Sequence, residues 1–306
     1  MIRLTDGLYS IKQEEKKFTF FKQVLGAIRI IHILPVFAVT TIIGVLTYFS
    51  LGGFKPKGAF ILMVLTVFFQ EAFVGGQNDY LDHEMDKLYG KNKAIPKGLI
   101  DRDAAFWVII ANYFIFTGLS FGLGFYVNIG YLVVLYIQAA NFICMIYNFI
   151  AKDTPFSLIP FLIAFPAAPI LVWLCFGGFD LIHLWYIPMI FFIGVSGHIA
   201  NELPDFEMDK ENNIRNFVVF IGKKTATIIY LIVALFTEVM VIVPYFIYEL
   251  NRVVFLIIMG ISTVIGISSI FVLWKEKWKT TELVFGFFTA FLGANAIGLI
   301  VLLNVQ

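Results

Sequence analysis

Two short acidic segments carry the residue types in this chain that are best suited to chemistry. The first, NDYLDHEMD, holds its amide and acidic side chains at spacings of one, three and four residues: Asn78, Asp79, Asp82 and Asp86. On a helix such side chains share one face, where carboxylates repel one another unless a cation lies between them. The segment therefore predicts a helical strip that binds a cation.

The second segment, NELPDFEMD at residues 201–209, repeats this pattern. Asn201, Asp205 and Asp209 recur every four residues. His198 and Glu202 extend the same helical face toward the preceding residues. Two such strips indicate a site built from both.

Both strips offer oxygen atoms as ligands, which favours a hard cation such as Mg²⁺ over zinc. Mg²⁺ is usually held by a few carboxylates together with phosphate oxygens and water. Basic residues in three polar loops between the apolar runs could bind such a phosphate: Lys93, Lys97, Lys152, Lys210 and Arg215. The pattern predicts a Mg²⁺–diphosphate site. The alternative, ordinary charges that solvate helix ends, does not account for two strips at helical spacing.

The rest of the chain is apolar. Of 306 residues, 60% are hydrophobic and 14% are charged, a balance typical of a polytopic membrane protein. Runs long enough to cross a hydrocarbon core predict nine spans, at about 30–51, 58–78, 104–124, 129–149, 156–177, 182–203, 225–248, 253–274 and 283–304. A water-soluble helical bundle is the alternative, but too few polar faces remain to cover one.

The basic residues predict the orientation of these spans. If the N-terminus is cytoplasmic, 19 Lys and Arg residues fall on the cytoplasmic side and 3 on the other. Residues 1–25 then form a polar cytoplasmic segment, and both acidic strips face the cytoplasm. We expect a multi-pass protein of the cell or inner membrane.

Several segments together resemble the UbiA superfamily of intramembrane prenyltransferases. NDYLDHEMD is similar to the first aspartate motif of that family, N-D-x-x-D-x-x-x-D, and NELPDFEMDKENN to its second, D-x-x-x-D. KAIPKGLI, YNFIAKDTP and FVVFIGKKTA are similar to its loop segments. The resemblance implies one membrane domain over residues 1–306, an all-α bundle of nine helices around a central cavity with the N-terminus in the cytoplasm.

The resemblance also implies an activity: Mg²⁺-dependent transfer of an isoprenyl group from its diphosphate to a lipophilic acceptor, most often aromatic, within the lipid bilayer and without nucleic acid. The residues expected at the metal are Asn78, Asp79, Asp82, Asp86, Asn201, Asp205 and Asp209. Lys152, Lys93 and Arg29 are expected to bind diphosphate oxygens. Tyr147 is expected to face the allylic cation, which an aromatic ring attracts.

Two further polar residues are candidate substrate contacts. Glu71 lies near the middle of the second predicted span, on roughly the face of the first strip. It either deprotonates an acceptor or an intermediate, or hydrogen-bonds to a neighbouring helix that offers Asn112, Gln138 or Asn141. His198 is either a structural partner of the second strip or a proton carrier.

Two other functions remain open at this point. Some UbiA-like proteins ionise a prenyl diphosphate and cyclise it without an acceptor, so a terpene cyclase is the main alternative. A cation or phosphate transporter would place its site near the bilayer midplane, whereas both strips lie at one face. The motifs identify the leaving group, and carry no information on the acceptor or the prenyl chain length.

Overall fold

The computed structural model describes residues 20–31, 33–275 and 282–305, and the regular secondary structure in these ranges is helical. The helices are α1 (Phe20–Ile30), α2 (Ile33–Ser50), α3 (Lys57–Leu88), α4 (Arg102–Leu123), α5 (Leu132–Ile146), α6 (Leu158–Phe176), α7 (Tyr186–Glu202), α8 (Phe206–Glu211), α9 (Phe217–Ile221), α10 (Lys223–Tyr248), α11 (Arg252–Lys275) and α12 (Glu282–Asn304).

Within the described residues, eight helical segments have the length and apolar composition needed to cross a membrane. A shorter apolar stretch, Val36–Ser50, lies in α2, where the first span is expected. The all-α, polytopic prediction is confirmed, while the count of nine spans, the cytoplasmic N-terminus and the single domain over 1–306 stay predictions. Most of the predicted polar segment 1–25 lies outside the described residues.

The outer surface of the bundle is apolar. Large side chains such as Phe114, Leu135 and Phe246 are 67%, 66% and 71% exposed. A folded surface with this much exposed hydrocarbon is suited to lipid, and long helices satisfy their own backbone hydrogen bonds there. The surface therefore agrees with the composition of the chain.

The long helices pack in a ring. Contacts run from α2 to α3, α3 to α4 and α4 to α5, then through α6 and α7 to α10, and α12 closes the ring against α2, α7, α10 and α11. Six of these helices, α2, α3, α5, α6, α7 and α12, leave a central cavity between them. The predicted central cavity is thus present.

Three departures from regular helix shape this cavity. α3 continues well past the predicted end of its span and carries the whole first strip on a single helix. After α7, a 3-10 turn over Leu203–Asp205 contains Pro204, which has no backbone N–H and ends the regular helix. α5 ends in a π-helical turn over Tyr147–Ala151, and such turns often occur at functional sites.

Candidate functional site

The cavity has a volume of about 560 Å³ and two chemically different ends. Side chains from both acidic strips line one end, which we call the acidic mouth: Asn78, Asp82, Asp86, Asn201, Asp205 and Asp209. Apolar side chains line the remainder, among them Val39, Ile42, Phe165, Ile190 and Ala296. The fold therefore brings together two strips that are more than a hundred residues apart in sequence, at the entrance to an apolar cavity.

Lys152 connects α5 to the first strip. Its ammonium group forms an ion pair with Asp82 and lies 3.4 Å from Asn78 Oδ1. All three side chains line the cavity, and their roles as metal and diphosphate ligands stay predictions. Asn148, on the π-helical turn, extends this contact by donating to Gln77 Oε1 at 2.9 Å.

Asp79 and Asp86 share a different lysine. Lys93 Nζ lies 2.8 Å from Asp79 Oδ1 and 2.9 Å from Asp86 Oδ2. Asp79 is only 3% exposed and does not line the cavity, whereas Asp86, about 20° from it around the helix, does. Burial by itself would lower the pKa of Lys93, but the adjacent carboxylates of Asp79 and Asp86 outweigh it and raise that pKa, so the lysine is charged.

The loop after α3 reaches across the mouth to the second strip. Lys91 Nζ lies 2.7 Å from Asp205 Oδ1, and the Tyr89 hydroxyl donates to Asp209 Oδ1 at 2.9 Å. Asn216 donates to the other oxygen of Asp209 at 2.8 Å. Burial and the hydrogen bond to Asp209 raise the pKa of Tyr89, which keeps the phenol protonated as a donor.

Arg29 does not line the cavity, and it contacts the loop that follows α3. Its Nη2 atom donates to the backbone oxygen of Asn92 at 2.6 Å, between the two lysines of the loop. One turn earlier, Gly26 lies so close to the chain that an added Cβ would meet Ile100 Cβ at 2.5 Å. The described structure therefore gives Arg29 a loop contact, and its predicted contact with diphosphate stays a prediction.

Tyr147 and His198 take different positions. Tyr147 lines the cavity, with its ring packed edge-on against Phe161 at a centroid distance of 5.0 Å. His198 is fully buried behind it, with Nε2 at 3.0 Å from Ser157 Oγ and 3.2 Å from Glu202 Oε1. This geometry fits the structural-partner interpretation of His198, while Tyr147 is placed where a reacting group can meet its ring.

Glu71 also lines the cavity, deeper than the acidic mouth and on the same stripe of α3 as Asn78 and Asp82. Cys144 on α5 lies in the same part of the wall. The sequence thus identified this carboxylate as cavity-facing from its helical position alone.

Sequence reasoning missed five polar residues that line the cavity: Tyr89, Lys91, Asn148, Asp153 and Asn216. Tyr89 and Lys91 follow the first strip directly in the sequence, and this short distance along the chain was the available signal that they belong to the site. Conversely, Lys97, Lys210 and Arg215 are exposed and do not line the cavity. Helical periodicity located the strips, but loop conformation decides which lysines turn inward.

Within the described residues, no group of three or more His, Cys, Asp or Glu side chains lies close enough together to hold a metal ion. Asp82, Asp86 and Asp205 are instead paired with lysine ammonium groups at the mouth. The oxygen-only ligands suit Mg²⁺, which completes its octahedron with phosphate oxygens and water, and the lysines suit those phosphate oxygens. The residues present therefore fit a Mg²⁺–diphosphate complex better than a bare metal ion.

Comparison with known proteins identifies relatives of this chain. A curated relative, the digeranylgeranylglyceryl phosphate synthase of Pyrococcus horikoshii, is 33% identical over 178 residues, which are 58% of this chain and 62% of that protein. The chain thus matches about three fifths of that relative's length.

Two solved structures share the fold. A UbiA homologue from Aeropyrum pernix K1 superposes with a TM-score of 0.66 at 16% identity, covering 89% of this chain and 98% of that one. A UbiA homologue from Archaeoglobus fulgidus bound to DMAPP and Mg²⁺ superposes with a TM-score of 0.57 at 21% identity, covering 90% and 99%.

The profile of the UbiA prenyltransferase family matches residues 36–292, which include both acidic strips, every helix from α3 to α11, most of α2 and the first half of α12. The chain is a multi-pass membrane protein that belongs to the UbiA prenyltransferase family.

Proposed function

We propose that this protein is a Mg²⁺-dependent prenyltransferase that moves an isoprenyl group from a prenyl diphosphate to an acceptor inside the membrane. One observation carries the proposal: two acidic strips and three lysines meet at one end of a cavity whose other walls are apolar. A prenyl diphosphate has the matching shape, with a charged head and a hydrocarbon tail. The UbiA homologue from Archaeoglobus fulgidus bound to DMAPP and Mg²⁺ supports the ligand class.

The lysines supply the charge for the diphosphate. Lys91, Lys93 and Lys152 are each held by carboxylates at the mouth. Mg²⁺, when bound, would neutralise charge that develops on the leaving diphosphate. With a metal bound, these carboxylates would be the residues that hold it, and the lysines would be available to bind phosphate oxygens.

The cavity walls protect the prenyl group during the reaction. When the allylic C–O bond breaks, the positive charge on the prenyl group must be kept from water until the acceptor attacks. Tyr147 presents an aromatic ring to that region, and the apolar walls of α6 and α7 exclude water. The ring stabilises the cation without reacting with it as a base.

The acceptor enters a largely apolar chamber, so we propose that it is lipophilic or aromatic. The family resemblance suggests an aromatic compound. The name of the Pyrococcus horikoshii relative refers to a glyceryl phosphate product and suggests a lipid alcohol. The cyclase alternative needs no acceptor at all.

The test uses purified full-length protein with geranylgeranyl diphosphate and Mg²⁺, with and without each acceptor class. We expect diphosphate release and a prenylated product that depend on Mg²⁺ and acceptor, and loss of both in Asp82→Asn and Asp205→Asn. Each variant removes one carboxylate charge that lines the cavity. Full activity in either variant contradicts the proposal, and a cyclic hydrocarbon formed without acceptor supports the cyclase instead.

We also propose that the acidic mouth faces the cytoplasm, from the distribution of Lys and Arg between the two sides of the membrane. Lys97, exposed in the loop between α3 and α4, provides a reporter. In a Lys97→Cys variant, a membrane-impermeant thiol reagent should label opened but not intact cells. Equal labelling of intact cells would reverse the orientation.

A further inference from the structure

We propose that Glu71 binds a hydroxyl group of the acceptor and takes its proton, so that the acceptor is an alcohol or a phenol that becomes prenylated on oxygen. The inference rests on the proposed prenyl transfer, and adds the chemical class of the second substrate. Its evidence is the depth of Glu71 in the cavity and the lack of a partner for its carboxylate.

The depth of Glu71 separates it from the diphosphate. Among the cavity-lining residues of α3, Glu71 is the farthest from the acidic mouth, seven residues before Asn78. Seven residues of helix correspond to about 10 Å, and helical side chains tilt toward the N-terminus of the helix, here away from the mouth. The carboxylate therefore faces the region between the diphosphate head and the apolar end of the chamber.

The carboxylate of Glu71 has no hydrogen bond or ion pair to any residue within 20–31, 33–275 and 282–305. The neighbouring amides that could have bonded to it are engaged elsewhere. Asn112 donates to a backbone oxygen at 2.8 Å, Gln138 to a threonine hydroxyl at 2.9 Å, and Asn141 to a methionine sulfur at 3.8 Å. A helix–helix hydrogen bond therefore does not explain Glu71.

The other glutamate deep within a span shows what a structural role looks like. Glu238 on α10 accepts hydrogen bonds from Ser262 at 2.7 Å and from Asn295 at 3.0 Å, and it does not line the cavity. These bonds tie α10 to α11 and α12. Glu71 has the opposite arrangement, with the cavity in front of it and no such bonds.

The occupant of the cavity must then supply the missing partner. A prenyl tail is hydrocarbon and cannot donate a hydrogen bond, and an unpartnered carboxylate in an apolar chamber is costly. The donor therefore belongs to the acceptor. A hydroxyl group fits, because it donates to the carboxylate through the same proton that it must lose.

The chemical step balances without any further reactant. The acceptor oxygen forms a bond to the first carbon of the prenyl group as the bond from that carbon to diphosphate breaks. The electron pair of the broken bond leaves with diphosphate, and the hydroxyl proton passes to Glu71. Such positioned proton transfer typically contributes about 10²- to 10⁴-fold to the rate.

The experiment compares Glu71→Gln, Glu71→Leu and, as a matched control, Glu238→Gln in the purified full-length protein. The acceptor probes are geranylgeranylglyceryl phosphate as the alcohol and 4-hydroxybenzoate as the phenol. A prenyl thiolodiphosphate that does not ionise reports binding of the first substrate in the presence of Mg²⁺.

We expect Glu71→Gln to lower kcat with the active acceptor by about 100-fold or more while its acceptor KM stays within about threefold, since glutamine still accepts a hydrogen bond. Glu71→Leu should also raise the acceptor KM. Both variants should bind the thiolodiphosphate like the wild type, and Glu238→Gln should resemble the wild type throughout. The probe that reacts identifies the acceptor as alcohol or phenol if its product is an ether, and a product prenylated on carbon contradicts the inference.

Two results would overturn the inference alone. Either Glu71→Gln turns over like Glu238→Gln, or it loses thiolodiphosphate binding, which would mean that Glu71 supports the fold or the first substrate. Failure of the wild type itself to bind the thiolodiphosphate overturns the proposed function, and the assignment of Glu71 with it.

Discussion

Replacing Lys93 with methionine tests whether this lysine is the counter-ion of two buried carboxylates. Lys93 Nζ lies within 3 Å of both Asp79 and Asp86, which are 3% and 6% exposed. Methionine keeps most of the length and the apolar stem of the side chain, and removes its charge. In the absence of metal, both carboxylates of the variant stay buried and lose the ammonium group of Lys93.

The size of the effect follows from that burial. Removing one partner of a buried ion pair destabilises a protein by about 3–5 kcal/mol. At about 2 °C per kcal/mol for a chain of this size, we expect the Tm to fall by about 6–10 °C. Lys97→Met, in the same loop but exposed, should leave the Tm within about 1 °C of the wild type.

The assay is thermal unfolding of the detergent-solubilised protein in EDTA, followed by tryptophan fluorescence. A Lys93→Met/Asp86→Asn double variant should recover part of the lost Tm, because one of the two carboxylate charges that Lys93 neutralises is also gone. A Lys93→Met protein as stable as Lys97→Met would refute the counter-ion role. Lys93 could then leave its carboxylates and bind diphosphate without a loss of stability of the folded protein.

Two further variants test the loop between α3 and α4. Lys91→Met should lower kcat/KM for the prenyl diphosphate by about 10- to 100-fold, since charge-assisted hydrogen bonds such as the one to Asp205 are worth about 1.5–3 kcal/mol. Lys87→Met, exposed at the end of α3, serves as its control in steady-state kinetics, and equal values would exclude Lys91 from the site. Gly26→Ala should lower the Tm by overpacking α1 against this loop, where the new methyl carbon has less than 3 Å of space, at a cost of about 1–3 kcal/mol. Gly118→Ala points into open space and should be neutral or slightly stabilising; a Gly26→Ala protein of the same stability would show that α1 and the loop separate freely.

Helical periodicity accounts for most of what the sequence predicted correctly. The spacing of Asn78, Asp82 and Asp86 placed them on one face, and this face lines the cavity together with Glu71. The long apolar runs likewise predicted the long helices, because a membrane span must be helical and about 20 residues long. Both are local properties that a single segment of sequence contains.

The remaining features depend on tertiary contacts. Asp79 belongs to the same motif, but packing of α3 turns it toward Lys93 and away from the cavity. Arg29 was expected at the diphosphate and contacts the backbone of Asn92. Lys91 was not expected there and contacts Asp205. An irregular loop has no helical periodicity from which the direction of a side chain can be predicted. The composition therefore showed that the loops are basic, but not which of their lysines point into the cavity.

The π-helical turn at the end of α5 has a consequence for the alignment of the cavity wall. Cys144 and Lys152 are eight residues apart and both line the cavity. On an uninterrupted α-helix, eight residues would rotate the second side chain by about 80° from the first. A π-helical turn absorbs one extra residue, which reduces the offset to about 20° in the opposite direction. The turn therefore acts as a phase correction: deleting one residue between Tyr147 and Ala151 would leave a regular α-helix with seven residues from Cys144 to the lysine, an offset of about 20°, so the lysine would still face the cavity. Converting the turn to α-helix without a deletion would instead rotate the lysine by about 100°, away from Asp82.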